Sequence, residues 1–127
     1  MTSPAPGPLV LIVDDNEKNL KLARDVLRAA GFRTLDAASG AQAIRLAAER
    51  TPDLVLLDLR LPDIDGVDVV RELTGIPVVA LSALQLPAGD SELRAAGFAG
   101  YLEKPIDVAA FPEQVRGYCA RGASTPP

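Results

Sequence analysis

The chain has 127 residues, about one domain's worth, with 48% hydrophobic and 24% charged residues, the balance of a folded globular protein and not of a disordered or fibrous one. Its net charge of −4, with Lys and Arg dispersed, lacks the basic patch of a sequence-independent nucleic-acid binder, and the absence of histidine removes Ser-His-Asp catalysis, His-ligated zinc and phosphohistidine donation. The single Cys119 cannot close an internal disulfide, no apolar run approaches the roughly 20 residues of a membrane span, and residues 1–8 hold no signal-like core, so a cytoplasmic location is expected.

Leu9–Val13 is an unbroken apolar run rich in β-branched residues, followed at once by Asp14, Asp15 and Asn16, which predicts a buried strand ending at carboxylates. Over residues 17–30, Leu20, Ala23, Leu27 and Ala30 recur at helical spacing, and Gly31 supplies a stop. The alternation repeats: strand 32–37, helix 42–50, strand 54–57 followed by Asp58, a short helix 66–73, strand 78–81 followed by Ser82, helix 90–96, and strand 101–103 followed by Lys104. A last helix ends near Cys119; proline is tolerated in a helix's first turn but not later, so Pro112 places its start near Phe111. Continuously apolar strands need cover on both faces, so the expected class is α/β, a doubly wound five-stranded parallel sheet with five helices. Residues 9–120 form the expected domain, with flexible segments 1–8 and 121–127 on either side.

Ligands of such sheets gather beyond the carboxyl ends of the strands. Those positions hold Asp14, Asp15, Asp58, Ser82 and Lys104. Carboxylates packed together repel, and a hard divalent cation with oxygen ligands relieves the repulsion; Mg²⁺ also keeps coordination sites for a phosphoryl oxygen. An ionised Asp58 is then placed to attack phosphorus, with Lys104 stabilising charge on the transferred group and Ser82 hydrogen-bonding it. Taken singly, each residue has a plainer reading: an Asx turn or helix cap for Asp14-Asp15, a strand-end polar residue for Asp58, a turn former for Ser82, a solvated charge for Lys104, core for Tyr101. Their joint occurrence at successive strand ends is what the plainer readings leave unexplained.

The segments Val13-Asp-Asp-Asn16, Leu57-Asp-Leu-Arg-Leu-Pro62 with Gly66, Ala80-Leu-Ser-Ala83 and Tyr101-Leu-Glu-Lys-Pro105 carry a resemblance. From about Leu9 to Ala120 the chain resembles a CheY-like response-regulator receiver domain of the stand-alone type. The resemblance implies Asp58 as phosphoacceptor, Asp15 as direct Mg²⁺ ligand, Asp14 as a ligand acting mostly through water, and Arg60 as the residue whose backbone carbonyl completes the metal site. It implies Ser82 as switch hydroxyl, Lys104 as phosphate-binding lysine, Tyr101 as the aromatic that rotates on activation, and a cis peptide between Lys104 and Pro105. Arg60 and Leu84 resemble positions that flank the path of the water ending the phosphorylated state. Implied partners are a sensor histidine kinase or histidine phosphotransfer protein as donor and a downstream protein target, reached through the helix over 90–96, strand 101–103 and the last helix. No nucleic-acid or membrane contact is expected, phosphorylation-dependent homodimerisation stays open, and the only catalysis implied is of the domain's own phosphorylation and dephosphorylation.

Three rival readings make different demands on the same residues. A haloacid-dehalogenase-like phosphatase needs an acid two positions after the nucleophile, where Arg60 stands. A mononucleotide-binding module needs a Gly-rich turn after the first strand, where Asp14-Asp15-Asn16 offers negative charge. A pseudo-receiver that binds proteins independently of phosphorylation is the alternative that an acetyl-phosphate or beryllofluoride titration discriminates. The chain departs from the family pattern in a third helix shorter by nearly two turns before Ile76-Pro77, and in Pro87 and Gly89, which predict an irregular loop after Ser82.

Overall fold

In the computed structural model, which describes residues 7–61, 63, 66–73, 75–82, 95–104 and 106–123, the apolar run Leu9–Val13 forms β1 with all five residues buried. Two further fully buried strands are β3, Leu54–Asp58, and β4, Val78–Ser82. The mixed strands β2, Arg33–Ala37, and β5, Gly100–Glu103, are partly exposed, as edges should be. All pairings are parallel and the order is β2-β1-β3-β4-β5.

Side chains alternate across the sheet, so β1 feeds two cores. Leu11 and Val13 join Val55, Leu57, Val69, Ala80 and Phe98 on one face, while Val10 and Ile12 join Leu27, Leu56, Leu81, Phe111 and Val115 on the other. Each fully buried aliphatic side chain contributes roughly 1.5–3 kcal/mol, and this two-sided burial is what the continuous apolar runs encode.

Among the described residues four helices cover the sheet: α1, Glu17–Ala29; α2, Gly40–Arg50; α3, Gly66–Glu72; and α4, Phe111–Ala123. Asn16 caps α1 by accepting from the amides of Lys18 and Asn19 at 2.9 and 3.3 Å, and Gly31, at φ 97°, makes the left-handed exit. α2 starts at Gly40, two residues before the expected Gln42, because the Ser39 side chain caps it. α3 is short, as the spacing before Ile76-Pro77 predicts. α4 starts at Phe111 with Pro112 in its first turn, but runs on to Ala123 instead of ending near Cys119. Of the helix expected over 90–96, only Ala95 and Ala96 are described, and both are helical. Leu84, Pro87, Gly89 and Pro105, with the expected cis bond, lie outside the described residues. No described helix is long and apolar enough to cross a membrane.

From β1 the chain moves to β2 on one side, and from β3 to β4 on the other. The connections therefore leave the carboxyl ends of β1 and β3 in opposite directions, which opens a crevice between these two strands.

Candidate functional site

Asp14 and Asp15 follow β1, and Asp58 ends β3, so the crevice is walled by carboxylates. Asp58 and Ser82 are the last residues of their strands and do not follow them, because the ladders continue past the expected ends: the Leu59 amide donates to the Leu81 carbonyl at 3.2 Å, and the Lys104 amide to the Ser82 carbonyl at 2.8 Å. That second bond carries Lys104 to the crevice edge beside β4.

The Asp14 amide donates to the Ala37 carbonyl at 3.0 Å, and its Oδ1 accepts from the Asn16 amide at 2.9 Å. Asp14 thus makes the Asx turn of the plainer reading and still turns Oδ2 to the crevice, where Lys104 Nζ lies 2.8 Å away. Asp58 Oδ1 accepts from the Arg60 amide at 2.9 Å, and its Oδ2 lies 3.1 Å from the same Nζ. Carboxylate oxygens of Asp14, Asp15 and Asp58 all lie within 4.8 Å of one another. Asp14 is 2% and Asp58 6% exposed; Ser82 is buried beside them, and Asp15 is exposed.

One ammonium is shared between two buried carboxylates, and the electrostatics follow from that. Burial disfavours the charged form of Lys104, but its hydrogen bonds to Asp14 and Asp58 outweigh this and hold its proton more firmly than usual. Burial pushes the Asp14 carboxyl up, and the contacts with Lys104 and the Asn16 amide pull it only part of the way back. Among the described residues three carboxylates line the cleft with two cations, Lys104 and Arg60, so it carries net negative charge when all are ionised.

Asp14, Asp15, Asp58, Arg60, Ser82 and Lys104 line one cleft of about 610 Å³. Asn16 and Asn19 line it too; their signal was their place directly after the acidic pair, at the start of α1. Tyr101 is not part of this cluster. It sits on β5, half-buried against the α2–α3 core, with its hydroxyl 3.4 Å from Glu103 Oε1, and lines two smaller clefts against α4 of about 400 and 380 Å³.

The donor set is oxygen only, drawn from carboxylates, which suits a hard divalent cation such as Mg²⁺ and not a thiolate- or imidazole-seeking metal. The family model of the response regulator receiver domain matches residues 10–116. The chain belongs to the response-regulator receiver family. DivK, the polar-differentiation response regulator of Brucella ovis, is 40% identical to this receiver over 115 residues, covering 86% of this chain and 94% of its own. The receiver domain of Francisella response regulator 1452 superposes with a TM-score of 0.82 at 26% identity, over 91% of this chain and 98% of that one. The chemotaxis response regulator CheY4 of Vibrio cholerae, at 24% identity and a TM-score of 0.80 over 88% and 98% of the two chains, shares the fold. This receiver is accordingly a two-component signalling domain of the CheY-like α/β class, from a family whose general role is signalling.

Proposed function

We propose that this receiver takes a phosphoryl group on Asp58, with Mg²⁺ as cofactor, and signals through protein contacts. The observation that carries the reading is the convergence of Asp14, Asp15, Asp58 and Lys104 in one cleft, with Lys104 Nζ within 3.1 Å of the proposed acceptor.

Asp14, Asp15 and Asp58 are the side chains that would hold Mg²⁺, together with the backbone carbonyl of Arg60. When bound, the cation supplies neutralising charge, so that a dianionic donor can approach a site that is otherwise negative. An Asp58 carboxylate oxygen attacks phosphorus; the new O–P bond forms as the bond from phosphorus to the donor's imidazole nitrogen breaks, and the imidazole leaves. Lys104, held charged by its contacts with Asp14 and Asp58, stabilises the developing charge on the phosphoryl oxygens. The amide of Arg60 fixes the orientation of the Asp58 carboxylate, and buried Ser82 supplies a hydroxyl to the transferred group.

These 127 residues hold no histidine, so a phosphohistidine donor lies outside them, and a sensor histidine kinase or histidine phosphotransfer protein fits that role. Ser82 ends β4 and Tyr101 lies on the adjoining β5, which supports a coupled movement of the two and an output face on β5 and α4 read by a downstream protein. Titration with beryllofluoride in Mg²⁺ tests the proposal: amide shifts at Asp58, Ser82 and Lys104 that vanish in Asp58→Asn are expected. Their absence in the wild type would favour the phosphorylation-independent pseudo-receiver.

A further inference from the structure

The first turn of α2 is held by a residue from a different loop. α2 has no acidic side chain in its own first turn, and the amides of Gly40 and Ala41 donate instead to Oδ1 and Oδ2 of Asp63, at 2.9 and 3.1 Å. The next amide, that of Gln42, goes to Ser39 Oγ at 3.2 Å. A carboxylate laid across two otherwise unpaired helix amides makes charge-assisted hydrogen bonds and meets the positive end of the helix dipole.

Two further connections give this contact a bearing on the cleft. Asp63 follows Asp58 by five positions, and the chain between them includes Leu59 and Arg60, both of which line the cleft. On its other side the chain that leads into α2 is tied to the first acidic loop: Ala37, which ends β2 two residues before the Ser39 cap, accepts from the Asp14 amide at 3.0 Å. The start of α2 is thus a brace between the loop that leaves β1 and the loop that leaves β3.

We propose that Asp63 is a positioning residue: by clamping the chain beyond Asp58 to the start of α2, which follows directly on the end of β2 that holds the Asp14 amide, it fixes the spacing across which Asp14, Asp15 and Asp58 share a cation. The inference rests on the reading of the cleft as a Mg²⁺ site. Groups that orient metal ligands without touching the metal commonly govern about tenfold or more of its affinity, and Asp63 is placed to act in this way on the loop that follows Asp58.

The test is a Mg²⁺ titration of the full chain followed by backbone amide shifts, in the wild type, Asp63→Ala, Asp63→Asn and Ser39→Ala. Ser39→Ala removes a different cap contact of the same turn without touching the loop after Asp58, so it reports what helix fraying alone does. The expected result is a dissociation constant raised about tenfold in Asp63→Ala and within about twofold of wild type in Ser39→Ala, with faster hydrogen exchange at Gly40 and Ala41 in metal-free Asp63→Ala. A wild-type dissociation constant in Asp63→Ala, or an equal loss in Ser39→Ala, overturns the proposal. Should Asp63→Ala fail to fold, Asp63→Asn, which keeps one acceptor oxygen, is compared with Ser39→Ala in the same way: a greater loss in Asp63→Asn supports the clamp and an equal one overturns it. A wild type whose Asp14, Asp15 and Asp58 amides do not respond to Mg²⁺ at all would instead remove the reading of the cleft, and the clamp's role with it.

Discussion

Lys104 Nζ stands 3.1 Å from Asp58 Oδ2 and 2.8 Å from Asp14 Oδ2, so one cation from the end of β5 ties together carboxylates from the ends of β1 and β3. Lys104 is 15% exposed, and removing it leaves two buried carboxylates without their shared ammonium. We expect Lys104→Met to lower stability by about 1–3 kcal/mol in metal-free buffer, read from urea unfolding in a chelator, and to slow phosphorylation by acetyl phosphate. An unchanged midpoint would mean that solvent already screens the pair.

Cys119 is buried on α4, and burial raises its thiol to about 11. A raised folded-state value means stability that is fully present below the ordinary thiol range and is lost as pH rises toward about 11, because the unfolded chain gives up its proton first. Cys119→Ala should flatten that alkaline decline relative to wild type. At neutral pH, iodoacetamide should modify Cys119 only at the rate at which α4 opens, and rapid labelling of the native protein would contradict the burial.

Gly100, the first residue of β5, lies under the Tyr118 ring: a Cβ at Gly100 would meet the Tyr118 hydroxyl oxygen and ring carbons. Gly100→Ala must displace the ring or the strand, and we expect a loss of about 1–3 kcal/mol. Adding Tyr118→Ala should recover part of it in a double-mutant cycle, whereas additive losses would place the strain elsewhere.

Tyr101 lines both clefts between β5 and α4, and its hydroxyl reaches Glu103. If this face reads out the state of Asp58, a partner's affinity should differ about five- to a hundredfold between beryllofluoride-loaded and apo protein, a coupling of about 1–3 kcal/mol. Tyr101→Ala should shrink that ratio without abolishing phosphorylation of Asp58. Calorimetry with an identified partner checks this, and equal affinities in both states would exclude the face as the output.

The strands were legible because β1, β3 and β4 are buried on both faces and therefore apolar throughout, and the cleft was legible because parallel strands deliver Asp14, Asp58, Ser82 and Lys104 to the same end of the sheet. Element ends were less legible. The ladder bonds of Leu59 and Lys104 and the Ser39 cap depend on partners far along the chain or on a single side chain, so Asp58 and Ser82 fell within strands and α2 began early. Asp63 could not be found from periodicity at all, since the amides it holds lie more than twenty residues before it. The exit of α4 was misplaced because no Gly or Pro stop stands at Cys119, and the helix continues through Gly117 to Ala123.

The central claim concerns one carboxylate, and the most direct measurement is peptide mapping of the protein after incubation with acetyl phosphate and Mg²⁺. The account predicts a single acyl phosphate, labile to acid, base and hydroxylamine, on the peptide that contains Asp58, absent when the metal is chelated and absent in Asp58→Asn. A phosphoryl group on another residue, or undiminished labelling of Asp58→Asn at that peptide, would contradict it.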